Sequence, residues 1–292
     1  MAGGILEDVR STIAMGVVLG ACVYACSSFG EDDDPGTVPA GDAGVVTEAS
    51  ADAPPGADAG ATSPSAYASA VLADKPTIYW RLGDFAAPPG TVKDWSGNGR
   101  DGTGSATGIF AEPSLVGGDP DGALRLTAGT SLERPSDADL SFAGQAPFSL
   151  ECWVKIGSST VNGAPLVARS ANGGGQPHGY ALYLEGSRPF IGRYEGDGIG
   201  VSHSSPSALA PDVPHHVVGL YDGKALRLYV DGVDQAFSNT AVALKDHAVS
   251  FTVGKLSDNT GALVGTIDEV ALYSYALPYA RIAEHHRIGA LE

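Results

Sequence analysis

The hydrophobic positions of this chain alternate in short runs broken by Gly, Pro, Asn and Asp, beginning near residue 66. Phe148-Ser-Leu-Glu-Cys-Trp-Val-Lys-Ile156 is the clearest run. Its period of two predicts a strand with Phe148, Leu150, Cys152 and Val154 on one face and Ser149, Glu151, Trp153 and Lys155 on the other. Similar runs predict strands at residues 77–82, 123–126, 131–133, 166–169, 180–184, 190–194, 200–203, 249–254 and 263–273. Residues 215–221 and 225–230 flank Asp222-Gly223, and Asp231-Gly232 follows at once. Asp-Gly supplies the positive φ angles of two-residue hairpin turns, so two successive hairpins are predicted. Residues 67–73 allow one short helical turn ended by Pro76, and residues 277–288, with Pro278 in the first turn, carry the one extended helical pattern. About a dozen strands and a short C-terminal helix predict an all-β fold, a two-sheet antiparallel jelly-roll sandwich.

Before residue 66 the pattern is different. Residues 31–65 are mostly Asp, Ala, Gly, Pro and Ser, with no Lys, Arg or aromatic residue. Such a segment buries too little apolar area to offset its ordering entropy, so residues 27–65 are expected to form a disordered acidic linker. Residues 11–30 carry no charge. Their apolar centre, residues 13–25, is short for a spanning helix and fits the core of a signal peptide. Leu19-Gly20-Ala21-Cys22 and Val23-Tyr24-Ala25-Cys26 both resemble bacterial lipoprotein cleavage boxes. Cys22 has the better small-residue context and Cys26 the more usual apolar length, so both stand as candidate lipid anchors. An uncleaved signal anchor is the alternative. The expected division is a leader over 1–26, the linker over 27–65 and a folded domain over 66–292.

Composition narrows the partners. The 292 residues include 40 Gly and 19 Pro, which suits many tight turns. A net charge of −17 excludes nucleic acid and anionic membrane surfaces, because both repel the chain. A membrane is reached only through the N-terminal lipid or signal anchor. Of three cysteines only Cys152 lies in the folded region, so no internal disulfide forms there, and no zinc spacing is present. The adjacent histidines His215-His216 diverge on a strand and His285-His286 on a helix, which disfavours a transition-metal site.

Eight segments then fall in a recognisable order. Trp80-Arg-Leu-Gly-Asp84 opens it, followed by Val92-Lys-Asp-Trp-Ser-Gly-Asn-Gly-Arg-Asp-Gly102 and Asp121-Gly-Ala-Leu-Arg-Leu126. The strand from Phe148 to Lys155 comes next, then His215-His-Val-Val-Gly-Leu-Tyr-Asp-Gly-Lys224 and Leu228-Tyr-Val-Asp-Gly-Val233. Gly265-Thr-Ile-Asp-Glu-Val-Ala-Leu-Tyr273 and Ala276-Leu-Pro278 close the series. Over roughly residues 66–290 the chain resembles the laminin-G-like jelly rolls of the concanavalin A-like lectin/glucanase superfamily. The resemblance implies two curved antiparallel sheets, often a structural calcium near the joined chain ends, and ligands that range from sugars to proteins.

Asp84, Asp94, Asn98 and Asp268 match positions where relatives place oxygen ligands for calcium, which takes six to eight of them. The alternative is that Asp94-Trp-Ser-Gly-Asn-Gly99 is only a turn and Asp268 only a strand-end residue. For a ligand, Trp153 with charged neighbours is a candidate sugar platform, joined by Tyr183, Arg193 and Tyr194. The alternative for each is a place in the sandwich core. The loops at residues 157–163, 170–179 and 195–207 are expected to rim the site. The Glu-x-Asp-x-x-Glu strand of the superfamily's glucanases is absent, as are the nucleophile elbow, the phosphate loop and the dinucleotide fingerprint. The sequence therefore predicts an exported, non-catalytic module recognising an extracellular carbohydrate. A protein-binding or structural adhesion module at the cell surface is the alternative, and a divergent glycoside-active enzyme the third.

Overall fold

The computed structural model describes residues 64–290 apart from 86–88, 106, 158–162, 174–175, 197–198, 240 and 246. The leader, Cys22, Cys26 and nearly all of the linker lie outside the described residues. Ser65 starts the first helix, α1 (Ala66–Ala73), its hydroxyl accepting the Ala68 N–H at 3.1 Å. Strands follow at β1 (Ile78–Trp80), β2 (Thr91–Val92), β3 (Gly102–Gly104), β4 (Ile109–Pro113), β5 (Gly122–Leu126), β6 (Leu132–Arg134), β7 (Phe148–Ile156) and β8 (Ala164–Gly173). Then come β9 (Gln176–Glu185), β10 (Arg188–Gly196), β11 (Ile199–Ser204), β12 (Pro214–Tyr221), β13 (Leu226–Val230), β14 (Val233–Ser238), β15 (Phe251–Val253) and β16 (Gly265–Tyr273). Helix α2 (Tyr279–Gly289) ends the fold, with Pro278 just before its first turn.

The strands form two sheets, and every strand pair is antiparallel. The first runs β14-β13-β12-β7-β16-β5-β4, with β1 also paired to β16. The second runs β11-β10-β9-β8-β15-β6-β3-β2. Alternation along β7 sends Phe148, Leu150, Cys152, Val154 and Ile156 into the core between the sheets. Tyr180, Leu182, Leu184, Ile191, Phe251 and Val253 join them from the second sheet. This is the two-sheet sandwich the strand periodicity predicts, with one helix at the C-terminal end and a second at the start of the domain.

The outer faces of the sheets differ, and the difference positions the site. Tyr67, Ala68 and Val71 of α1 and Ile282 of α2 pack on Tyr79, Trp153, Val218, Leu220, Ala271 and Tyr273 of the first sheet. The first sheet is thus covered on its outside by an apolar layer of its own. The outer face of the second sheet, at β8 to β10, forms a groove instead.

Local departures have physical causes. The segment at 67–73 makes a full eight-residue helix, because it gains a packing partner in α2 that its sequence alone does not show. Asp231-Gly232 does join β13 to β14, with φ of 50° and 73°. Asp222-Gly223 does not make a two-residue turn. Asp222 accepts the N–H groups of Lys224 and Ala225, at 2.9 and 2.7 Å, and stretches the connection to four residues. In β16 a bulge between Asp268 and Ala271 places Glu269 at φ 52°. Strict alternation sends Glu269 to the face opposite Asp268; the bulge breaks it, and both carboxyls lie fully buried within electrostatic reach of each other.

Candidate functional site

Tyr183 on β9 and Tyr194 on β10 lie on the outer face of the second sheet, because their neighbours Leu182, Leu184, Ile191 and Arg193 point inward. Each is half-buried, and their hydroxyls meet at 2.9 Å. Phe190 stacks on Tyr183 directly across the strand pair, with ring centroids 5.2 Å apart. Tyr194 lies flat on the sheet because nothing props it up: a Cβ at Gly192 would meet its hydroxyl at 2.4 Å and one at Gly200 its ring at 2.4 Å. The tyrosines form the floor of a groove of about 340 Å³. Pro165, Ser170, Asn172, Pro177, Leu256 and Thr260 are among its walls. The Asn172 side-chain amide donates to Thr260 at 3.0 Å, and Asp258 accepts the Asn172 N–H at 2.7 Å, so the polar side of the groove is ordered before any ligand arrives. Burial, then the Tyr194 hydroxyl, raises the Tyr183 pKa, so Tyr183 stays a neutral phenol. Volume, apolar floor and a few fixed polar groups are those of a small-molecule site.

The other two residues predicted for ligand binding are placed elsewhere. Arg193 is fully buried between the sheets. Its Nε donates to the Val242 carbonyl at 2.8 Å, another guanidinium nitrogen donates to the Gly144 carbonyl, and the group lies 4.0 Å over the Tyr221 ring. Burial lowers its pKa to about 10. It ties the 142–144 and 242 loops to β10 and cannot reach a ligand. Trp153 does face outward from β7, but the helices cover it: it is 3% exposed, against Tyr67 and His286. An exposed platform at Trp153 is therefore overturned by α1 and α2. Of the expected rim, residues 158–162, 174–175 and 197–198 lie outside the described residues. Residues 170–173 and 176–179 are not loop but the paired ends of β8 and β9.

Two buried polar clusters sit beside or beneath the helical layer. Glu151 accepts hydrogen bonds from Tyr67 at 2.9 Å and Tyr273 at 2.7 Å. His216 Nε2 and His285 Nδ1 stand 2.8 and 2.9 Å from the same carboxylate. Burial alone would raise its pKa; His285 and His216 outweigh burial and hold it well below the usual carboxylate range. The His285 Nε2 reaches Asp74 at 2.9 Å, beyond the end of α1. In the second cluster Arg81 pairs with Asp119 at 2.7 Å, Asp121 at 3.2 Å and Glu269 at 3.4 Å, and Tyr79 donates to Glu269. Burial, reinforced by neighbouring carboxylates, raises the pKa of both Asp268 and Glu269. All three carboxyls, Glu151, Asp268 and Glu269, are shut off from solvent. They hold helices and strand ends together.

The residues matched to calcium ligands do not converge. Asp94 already accepts four donors, the N–H groups of Tyr79, Ser96 and Arg100 and the Ser96 hydroxyl, at 2.8–3.0 Å. That fills the lone-pair sites of a carboxylate. Asn98 turns its amide N–H toward the Pro76 and Thr77 carbonyls, at 3.2 and 3.1 Å. Asp84 accepts the Trp95 indole N–H at 3.0 Å. Asp268 is held apart by the Ser114 hydroxyl and Leu115 N–H, at 2.8 and 2.9 Å. Among the described residues no three His, Cys, Asp or Glu side chains stand so as to hold a metal ion. As placed, Asp84, Asp94, Asn98 and Asp268 do not fit a calcium cage; Asp94 is the hub of a hydrogen-bonded turn.

Phe190, Asn172 and Thr260 are site residues that the sequence reading did not single out. The usable signal was Phe190-x-Gly192-x-Tyr194, in which a glycine shares a strand face with two aromatics. Asn172 and Thr260 carry no such signal, since they meet across 88 residues.

Comparison with known proteins agrees with this architecture. The laminin-G model of the concanavalin A-like lectin/glucanases superfamily matches residues 127–283, more than half of the chain. The chain belongs to that superfamily. No curated protein sequence matches it. Among solved structures, the binding domain of Paraclostridial Mosquitocidal Protein 1 superposes with a TM-score of 0.58 at 14% identity, over 74% of this chain and 52% of that one. Domain 4 of AbnA, an extracellular arabinanase from Geobacillus stearothermophilus solved with arabinotriose, gives 0.55 at 17%, over 73% and 98%. The binding domain of botulinum neurotoxin DC, solved with rat synaptotagmin II, gives 0.56 at 10%, over 74% and 52%. The chain thus spans about half the length of the toxin domains and nearly all of the arabinanase domain. At these identities the likeness defines the fold. Two of these neighbours are binding domains and one is a domain of an arabinanase, and the superfamily to which this chain belongs is one of lectins and glucanases.

Proposed function

We propose that this protein is an exported, non-catalytic carbohydrate-recognition module whose ligand lies on Tyr183 and Tyr194. The observation that carries the reading is the pair of tyrosine rings laid along a sheet face that, among the described residues, no helix covers. Sugar rings stack their C–H faces on such aromatics while nearby amides and hydroxyls fix their oxygens, here Asn172, Thr260 and Ser170. The arabinotriose-bound neighbour supports a saccharide on this architecture. The buried carboxyls support a module without hydrolytic chemistry, since the carboxyls of glycosidases must reach the glycosidic oxygen. Export rests on the apolar segment at residues 13–25, with lipidation at Cys22 or Cys26 read out by membrane fractionation of the two Cys→Ser variants. A glycan array probed with the parent, Tyr183→Ala and Tyr194→Ala tests the binding reading. Saturable binding lost in both variants, with unchanged melting, is expected; no binding by a folded parent would sink it.

A second reading has its own observation. Val233 and Phe237 on the edge strand β14 are 57% and 51% exposed, and a free apolar edge favours a protein partner. Val233→Lys and Phe237→Lys in a pull-down from extracellular extracts decide whether that edge is used.

A further inference from the structure

Among the described residues, the lining of the tyrosine groove holds no charged side chain. Its walls and floor are Pro, Gly, Ala, Leu, Ser, Thr, Asn and Tyr. Three other grooves among the described residues are each lined by ionisable groups. One has Asp222, Arg227 and Asp234; another His215, Asp231 and His286; the third Glu112, Arg125, Lys155 and Asp212. Beside grooves lined by ionisable groups, a neutral groove is a selective feature. The charges next to it are committed to protein partners. Asp258 accepts from Asn172 and Thr260, and Lys255 donates to Asn259 at 3.2 Å. Lys245 pairs with Glu195, beyond Tyr194, at 3.1 Å.

Resting on the proposed carbohydrate site, we infer that its ligand is an uncharged saccharide and that uronic, sialic and sulfated sugars are rejected. An anionic sugar entering this groove leaves its hydration shell and meets no cation to replace it. A desolvated, unpaired charge is among the costliest features a site can impose. The Asp258 carboxylate stands one hydrogen bond behind Asn172 and Thr260 on the polar wall, and the chain as a whole carries −17. Both repel anions. A neutral saccharide meets the opposite balance. Its C–H faces lie on Tyr183 and Tyr194, and its hydroxyls reach groups that both donate and accept. Electrostatic steering is then no part of its affinity, so binding is insensitive to salt.

The test probes the full chain, Tyr194→Ala and Thr260→Lys against immobilised arabinan, galactan, xylan and β-glucan, and against polygalacturonate, heparin and sialylated glycans. The expected result is binding to a neutral polymer that weakens at least about tenfold in Tyr194→Ala, the loss of one stacking contact. Neutral binding should change less than about twofold between about 0.05 and 0.5 M salt. Thr260→Lys, which adds a cation to the rim, should acquire measurable polygalacturonate binding. Binding of the parent to an acidic glycan, lost in Tyr194→Ala, overturns the neutral-ligand inference and leaves the groove as the carbohydrate site. Binding to no glycan, or binding that Tyr194→Ala leaves untouched, overturns the site itself and the inference with it.

Discussion

Replacing Glu151 by Gln tests the account of how the helical layer is held. The substitution keeps the shape of the side chain and removes the charge on which Tyr67, Tyr273, His216 and His285 converge. Those four groups come from α1, β16, β12 and α2, so one carboxylate joins both helices to three strands. An amide has one acceptor oxygen and an N–H2 that faces donors, so the partners aimed at the second oxygen must reorient or lose their hydrogen bond, and the imidazoles lose their counter-charge. Breaking one side of a buried ion pair costs about 3–5 kcal/mol. For a domain of this size each kcal/mol lowers Tm by about 2–4 °C, so the expected fall is about 6–20 °C. Circular dichroism melts at a series of pH values measure it. The Glu151 pKa is held low in the folded state, so its contribution is present above the unfolded value of about 4.3 and fades as pH falls through the lower folded value. The His285 pKa is raised: burial lowers it, and Glu151 and Asp74 more than reverse that. Its contribution is complete below about 6.5 and fades as pH rises through the raised folded value. The gap between parent and variant is therefore widest at about pH 4.5–6.5 and narrows on both sides. A gap under about 3 °C in that window, or one flat from acid to alkali, would refute the electrostatic role of Glu151.

Other outcomes follow from the same geometry. Gly192→Ala puts a methyl 2.4 Å from the Tyr194 hydroxyl, so the ring lifts and the Tyr183 contact breaks; titration with the glycan identified on the array should show affinity falling about tenfold with Tm changed by less than about 3 °C. Arg193→Met strands the Val242 and Gly144 carbonyls at about 1–3 kcal/mol each, lowering Tm by several degrees while the saturated protein keeps its glycan affinity; a selective loss of affinity would return Arg193 to the site. Excess chelator should leave Tm within about 1 °C, because the Asp94 oxygens are occupied by N–H and O–H donors; a calcium-reversible drop of several degrees would restore a cage at Asp84, Asp94, Asn98 and Asp268.

The chain's own pattern determined the architecture. Period-two alternation at 148–156 places Phe148, Leu150, Cys152 and Val154 inward as found, because strand geometry leaves two faces and only one is apolar here. Asp231-Gly232 makes its turn because the required φ values depend only on those two residues. The order of Trp80-Arg-Leu-Gly-Asp84, the 92–102 turn and the 265–273 strand was enough to indicate the superfamily whose model matches residues 127–283. What periodicity cannot say is which face stays open. Trp153 and Tyr183 both alternate outward on strands, yet α1 and α2 bury the first and leave the second in a groove. That outcome depends on where residues 66–73 and 279–289 dock, which is a long-range packing event. Arg193 was drawn inward by carbonyls about 50 residues away in sequence, and Glu269 was turned by a single bulge. Local backbone chemistry repeats every two residues and is legible in order along the chain. Burial, charge pairing and the assembly of a site depend on residues far apart in sequence, and only the folded sandwich brings them within reach of one another.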